Sequence, residues 1–267
     1  MPFAFIGFFL ALSTTEYQFD WMKLAFMILC MVFARNSAMA FNRYLDRNFD
    51  AKNPRTAIRD IPAGKIPAKN ALLFTISNCV LFIFTTYFIN PLCFYLSPVA
   101  LAVVLGYSFT KRFTPLCHLI LGIGLGLAPI GAYLVVTGKF DLLPILFSLA
   151  VVCWVSGFDI IYALQDDEFD KQEELYSIPA WLGRKKALAV SSFLHILCVV
   201  FITLPLFYTT LGGFYITGVV LFIVLLIYQH RLVKPDDLSK VGRAFGTTNG
   251  IASVIFAICF LLDIYFR

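Results

Sequence analysis

Charge is what this chain has least of. Only 14% of its 267 residues are Asp, Glu, Lys or Arg, against 60% hydrophobic residues. A soluble domain of this length needs more charge on its surface, so that class is excluded. Period-two alternation is missing as well. The apolar runs are continuous, which argues against transmembrane strands. The seven cysteines stand singly at 30, 79, 93, 117, 153, 198 and 259, with no CxxC pair and no Cys/His cluster. A structural zinc site or a disulfide framework is therefore not expected, and buried thiols are. The opening MPFAFIGFFLALS has no basic leader, so a cleaved signal peptide is not expected either. There are three histidines, His118, His195 and His230, and no Ser/His/Asp arrangement to use them. They read as structural. No nucleic-acid partner is indicated.

What is present is apolar length. The mean hydropathy is +0.83, and 29 residues are Phe. Nine apolar segments run roughly over 2–13, 20–41, 70–89, 91–109, 116–137, 141–163, 187–208, 212–230 and 245–266. Runs of about 20 apolar residues match the length of helix that crosses a bilayer core of ~30 Å. Lipid offers no partner to a free backbone N–H or C=O, so these segments should be helical. The expected fold is all-α: a polytopic membrane protein with nine transmembrane helices around a central cavity.

Basic residues set the orientation. With the N-terminus taken as cytoplasmic, the loop after the second helix carries Arg43, Arg47, Lys52, Arg55, Arg59, Lys65 and Lys69. Lys111 and Arg112 follow the fourth helix, Lys171, Arg184, Lys185 and Lys186 the sixth, and Arg231, Lys234, Lys240 and Arg243 the eighth. One side thus holds 17 of the 21 basic residues, as the positive-inside rule requires of the cytoplasmic face. Most of the acidic residues gather on the same side, which that rule does not require. Both signs of charge therefore meet at one rim, and chemistry is to be sought there.

Two acidic stretches stand out, NRYLDRNFD (42–50) after the second helix and DIIYALQDDEFD (159–170) after the sixth. Four helices separate them, which suggests a parallel internal repeat of four-helix units. On a helix, Asn42, Asp46 and Asp50 lie at i, i+4 and i+8. Asp159, Tyr162, Asp166 and Asp170 lie at i, i+3, i+7 and i+11. Each set returns to one face. Facing carboxylate rows repel unless cations sit between them, and an all-oxygen ligand set suits Mg²⁺ bridging to substrate phosphates. Asp159 lies inside the apolar run VVCWVSGFDIIYAL, where a charge is costly and usually functional. Arg55 and Arg59 in NPRTAIRDIP, with Lys111 and Arg112 in YSFTKRFT, are candidate clamps for a diphosphate. A Mg²⁺–diphosphate site at the mouth of an apolar chamber suggests an isoprenoid diphosphate. The Gly-rich LGIGLGLAPIG (121–131) could open space for its tail or serve helix packing equally well. A transporter or cation channel using the carboxylates as an ion site is the alternative.

These motifs resemble the UbiA-type intramembrane aromatic prenyltransferases. That family carries N/D-DxxDxxxD after its second helix and DxxxD after its sixth, over nine helices. The match runs through NRYLDRNFDAKNPRTAIRDIPAGKI, YSFTKRFTPLCHLILGIGLGLAPIGAYL and DIIYALQDDEFDKQEELYSIPAWLG, and covers most of the chain. The resemblance implies a single transmembrane prenyltransferase domain over 1–267, closest to the 4-hydroxybenzoate polyprenyltransferase branch and to relatives proposed to act on a hydroxynaphthoate. The partners implied are a polyprenyl diphosphate, an aromatic acid acceptor and the bilayer. The place implied is a bacterial inner membrane, with the site facing the cytoplasm. By carry-over, Asn42, Asp46 and Asp50 would hold one Mg²⁺, and Asp166 and Asp170 the other. Arg55, Arg59, Lys111 and Arg112 would contact the diphosphate, and Asp159 and Tyr162 would lie near the reacting centre. Arg43 stands where many members have a second Asp; it could pair with the acceptor's carboxylate. Family members usually also have a longer N-terminus with charged residues ahead of the first helix.

Overall fold

A computed structural model describes residues 1–266, and in it each of the nine apolar runs is a helix. In chain order the helices are α1 (Pro2–Thr14), α2 (Trp21–Leu45), the short α3 (Arg47–Lys52), α4 (Ala68–Tyr87), α5 (Pro91–Thr110), α6 (Cys117–Thr137), α7 (Leu142–Ala163), the short α8 (Asp167–Gln172) and α9 (Ile178–Leu182), α10 (Arg184–Thr203), α11 (Gly213–Leu232) and α12 (Asn249–Tyr265). Eight are long and apolar enough to cross a membrane. The ninth, α1, has only 13 residues, too few at about 1.5 Å per residue to span the hydrocarbon unaided.

The helix ends follow local chemistry. Asp20, Asn90 and Asp141 cap α2, α5 and α7, each accepting a hydrogen bond from a first-turn N–H. Gly138 ends α6 in the left-handed region, at φ 64°, where lack of a Cβ removes the steric cost. The α11 N-terminus is capped from another helix: Asp263 of α12 accepts from the backbone N–H of Gly212 at 2.7 Å and of Tyr215 at 3.1 Å.

Packing explains the Gly-rich stretch. A Cβ on Gly122 would sit 2.3 Å from Ser156 Oγ and 2.6 Å from the Val152 carbonyl; one on Gly126 would sit 2.7 Å from the Val152 side chain. These glycines, four apart, bring α6 against α7. Gly131 faces nothing within 4 Å. Close packing, the second of the two readings, thus accounts for Gly122 and Gly126. Similarly, Gly7 of α1 abuts the backbone of Pro129 in α6. An aromatic core of Phe3, Phe147, Trp154, Tyr215, Phe222, Phe256 and Phe260 joins α1, α7, α11 and α12. Many other large apolar side chains, such as Leu73, Phe84, Tyr95 and Phe207, are exposed, which suits a surface solvated by lipid.

Candidate active site

The acidic rows do not lie on straight helices as the spacing predicts. α2 stops at Leu45, Asp46 adopts φ −88°, ψ 4°, and the chain restarts as α3. Likewise α7 stops at Ala163 and passes through a 3₁₀ turn, Leu164–Asp166. Asp166 then adopts φ −112°, ψ 6° at the start of α8. Asn42 therefore belongs to α2 and Asp50 to α3; Asp159 and Tyr162 belong to α7 and Asp170 to α8. Asp is a poor helix former, and at each bend its carboxylate is held by a cation from another segment, Asp46 by Arg112 and Asp166 by Arg55. The i, i+4 ladder survives the first bend locally, because Asp46 N–H still reaches the Asn42 carbonyl at 2.9 Å and Asp50 N–H the Asp46 carbonyl at 2.8 Å.

Burial dictates the rest. Asp50, Asp166 and Asp170 are buried, and a buried carboxylate needs a partner. Each candidate cation supplies one. Arg59 Nη1 donates to Asp50 Oδ1 at 2.6 Å. Arg55 grips Asp166 with both Nε and Nη2, the former at 2.9 Å from Oδ1. Lys111 Nζ lies 2.6 Å from Asp170 Oδ1, and Arg112 Nη2 lies 3.2 Å from Asp46 Oδ1. Asn42 Nδ2 donates to Asp46 Oδ2 at 2.9 Å. The two clusters are thus drawn to one rim and interlocked. Arg55, from the first half of the chain, binds the second cluster. Its Nη1 also donates to Tyr162 Oη at 2.8 Å, while the Tyr162 ring packs on Phe245 with centroids 4.1 Å apart.

Electrostatics follows the pairing. Burial pushes the Asp46 carboxyl above its ordinary pKa, against the pull of Arg112. Burial works the other way on Lys111, but the Asp170 carboxylate wins and holds the ammonium above its usual value. The same competition, burial against Asp166, leaves Arg55 raised. Arg43 makes no ion pair among the described residues and sits within electrostatic reach of Arg59, which repels it, and of Asp50, Tyr162 and Tyr107.

Could this rim hold a metal? Among the described residues, no three His, Cys, Asp or Glu side chains converge as a ready-made site, because each carboxylate is turned to a cation. The donors nevertheless suit a hard divalent ion. Asp50 Oδ2 is buried with no hydrogen-bond partner, and Asp170 Oδ1 makes no directed hydrogen bond beside its ion pair with Lys111. All the ligand atoms are oxygen. Among the described residues the opposite rim holds no ion pair. A cavity of about 130 Å³ there is lined by Ser13, Thr209, Phe260 and Asp263, and that carboxylate is engaged in capping α11.

The sequence profile of the UbiA prenyltransferase family matches residues 1–258. The chain belongs to this family. It is accordingly a prenyltransferase and an integral membrane protein. Among curated relatives, a 4-hydroxybenzoate octaprenyltransferase from Francisella tularensis subsp. novicida is 28% identical over 228 residues, covering 85% of this chain and 79% of the relative. An apo UbiA homologue from Aeropyrum pernix superposes with a TM-score of 0.88 at 30% identity, covering 98% and 96% of the two chains. A UbiA homologue from Archaeoglobus fulgidus, bound to DMAPP and Mg²⁺, has a TM-score of 0.71 at 20% identity, covering 98% and 96%.

In this UbiA member several site residues carry no signal in the motifs. Asn53 Nδ2 donates to Asp166 Oδ1 at 3.0 Å, and Ser177 Oγ donates to Asp170 Oδ2 at 2.9 Å. Lys52 pairs with Glu173 across the two halves. Asp167, next to Asp166, is taken by Arg184 instead, at 2.9 Å. Of the three histidines read as structural, His118 meets a candidate catalytic residue: its Nδ1 lies 2.7 Å from Asp159 Oδ2. Among the described residues, His195 and His230, 2.8 Å apart, bond to each other, to the Trp154 carbonyl and to Ser192.

Proposed function

We propose that this chain transfers a polyprenyl group from a polyprenyl diphosphate to a ring carbon of an aromatic acid. The acceptor would be 4-hydroxybenzoate or a related hydroxynaphthoate, in ubiquinone or menaquinone biosynthesis. The observation that carries the proposal is the interlocked rim: four carboxylates from two halves of the chain, each held by a cation suited to phosphate. Relatives named 4-hydroxybenzoate octaprenyltransferase and a neighbour bound to DMAPP and Mg²⁺ support it. The repeated bend at Asp46 and Asp166 supports a duplicated four-helix unit. The basic rim supports a cytoplasmic orientation, here in a bacterial inner membrane.

Asn42, Asp46 and Asp50 would hold one Mg²⁺, and Asp166 and Asp170 a second. Bound there, the ions supply charge neutralisation for the departing diphosphate. Arg55, Arg59, Lys111 and Arg112 then exchange carboxylate partners for phosphate oxygens and stabilise the charge that builds as the C–O bond breaks. The leaving diphosphate keeps the bond pair. The apolar helices around the prenyl chain exclude the water that would quench an allylic cation. Arg43 would bind the acceptor's carboxylate. The ring carbon beside the hydroxyl attacks the cation, and Asp159 takes the displaced ring proton, restoring aromaticity. Tyr162, anchored by Arg55, borders the reacting centre.

The test mixes membranes containing the protein with Mg²⁺, a labelled polyprenyl diphosphate and, in parallel, 4-hydroxybenzoate, dihydroxynaphthoate, haem and glycerol phosphate. Prenylated aromatic acid formed only with Mg²⁺ supports the proposal. Product with haem or glycerol phosphate instead, or ion flux without prenyl transfer, overturns it.

A further inference from the structure

Asp159 is held by one oxygen and open at the other. Oδ2 is engaged by His118, whereas among the described residues no hydrogen bond takes Oδ1, and the side chain is 22% exposed. Tyr107 lies within electrostatic reach of Asp159, Asp46 and Arg43, so Asp159 sits near the first cluster and the candidate acceptor ligand. His118 itself is buried in the first turn of α6.

The ring's protonation is fixed by its other neighbour. The backbone N–H of Ile178 donates to His118 Nε2 at 3.3 Å. That nitrogen stands as an acceptor, and Nδ1 carries the ring proton that points at Asp159. Ile178 opens α9, immediately after Ser177, whose hydroxyl holds Asp170. One short segment thus ties Asp170 at the diphosphate end to Asp159 at the acceptor end. His195 offers the contrast: its ring ends on a carbonyl, with no carboxylate to orient.

We propose that His118 is a positioning residue for the transfer step. As an Nδ1–H donor held on its other side by Ile178, it fixes the Asp159 carboxylate with Oδ1 presented to the acceptor ring. The new C–C bond forms with a ring electron pair, the C–H pair returns to the ring, and the proton goes to Asp159 Oδ1. Without His118 the carboxylate rotates freely. Ionisation of the diphosphate continues, but the ring adduct that cannot pass on its proton reverts by breaking the new C–C bond, and water takes the cation as the prenyl alcohol with release of a proton. This rests on the function proposed above.

The experiment measures two products of one reaction, released diphosphate and prenylated acid. It uses 4-hydroxybenzoate with hydrogen or deuterium at the carbons beside the hydroxyl. The parent is compared with His118→Phe, His118→Asn, whose amide can stand where Nδ1 stands, and His118→Gln, whose amide reaches the Ile178 side instead. In the parent the two products form together. His118→Phe and His118→Gln should lose about tenfold or more of prenylated acid relative to diphosphate, with a deuterium isotope effect that the parent lacks. His118→Asn should regain most of the coupling. If Phe does not fold, the Asn and Gln pair decides. Parallel loss of both products, or Asn and Gln behaving alike, overturns the inference. A parent that makes no prenylated acid at all overturns the function and this inference together, whereas an active parent with coupled variants overturns this inference alone.

Discussion

Lys111 and Arg112 are adjacent in the chain yet serve opposite carboxylate clusters. Lys111 Nζ is 2.6 Å from Asp170 Oδ1, and Arg112 Nη2 is 3.2 Å from Asp46 Oδ1. The end of α5 therefore straddles the rim, one residue per cluster. Lys111→Ala should cost stability and activity for different reasons. Stability should fall by about 1–3 kcal/mol, less than the ~3–5 of a fully enclosed pair, because the Lys111 side chain is 35% exposed. The double variant Lys111→Ala/Asp170→Ala should recover much of the melting temperature and none of the prenyl transfer. Recovery of both would mean that the pair is only structural.

Metal dependence should show a cooperative signature. The carboxylates are already neutralised by basic side chains, so Mg²⁺ alone should raise the melting temperature little. Mg²⁺ with diphosphate gives both partners a replacement, and saturation near 100 times the dissociation constant should stabilise by about 2.7 kcal/mol. Excess EDTA should abolish transfer, and Asp46→Ala or Asp166→Ala should lower it at least ~100-fold. Thermal shift and product formation on the same preparation check this. Full activity in EDTA would remove the metal from the proposal.

The helices and the gathering of charge at one rim were legible for one physical reason. In an oily chain every charged residue is expensive, so Asp46, Asp50, Asp166 and Asp170 stand out against their surroundings. The bends at Asp46 and Asp166 were not legible, because i, i+4 spacing is the same in one straight helix and in two short turns. The carboxylate partners were hidden too: long Arg and Lys side chains fold back across the chain, as Arg55 does to Asp166, 111 positions away. His118 was hidden because its partner, 41 positions on, meets it only through the close packing of α6 on α7.

That packing makes a sharp prediction about two glycines of one helix. Gly122→Ala places a Cβ 2.6 Å from the Val152 carbonyl, and backbone cannot yield as a flexible side chain can. It should destabilise by about 1–3 kcal/mol. It should also disturb transfer, since α6 carries His118. Gly131→Ala meets nothing within 4 Å and should be neutral or stabilising by up to ~1 kcal/mol. Melting temperatures of the two variants in one detergent decide the matter.

Asp263 tests whether an acidic residue in an apolar helix must be functional. It is buried near the end of α12, as costly a place as that of Asp159, yet both oxygens are spent on the N–H groups of Gly212 and Tyr215. These are groups that the start of α11 would otherwise leave unsatisfied in the bilayer. Asp263→Ala should therefore lower stability by about 1–3 kcal/mol while leaving prenyl transfer per folded molecule unchanged, whereas Asp263→Asn keeps one acceptor and should fall between. Asp159→Asn should do the reverse, sparing stability and losing transfer. Measured side by side, loss of turnover in Asp263→Ala at full folding would show that the far rim takes part in the reaction.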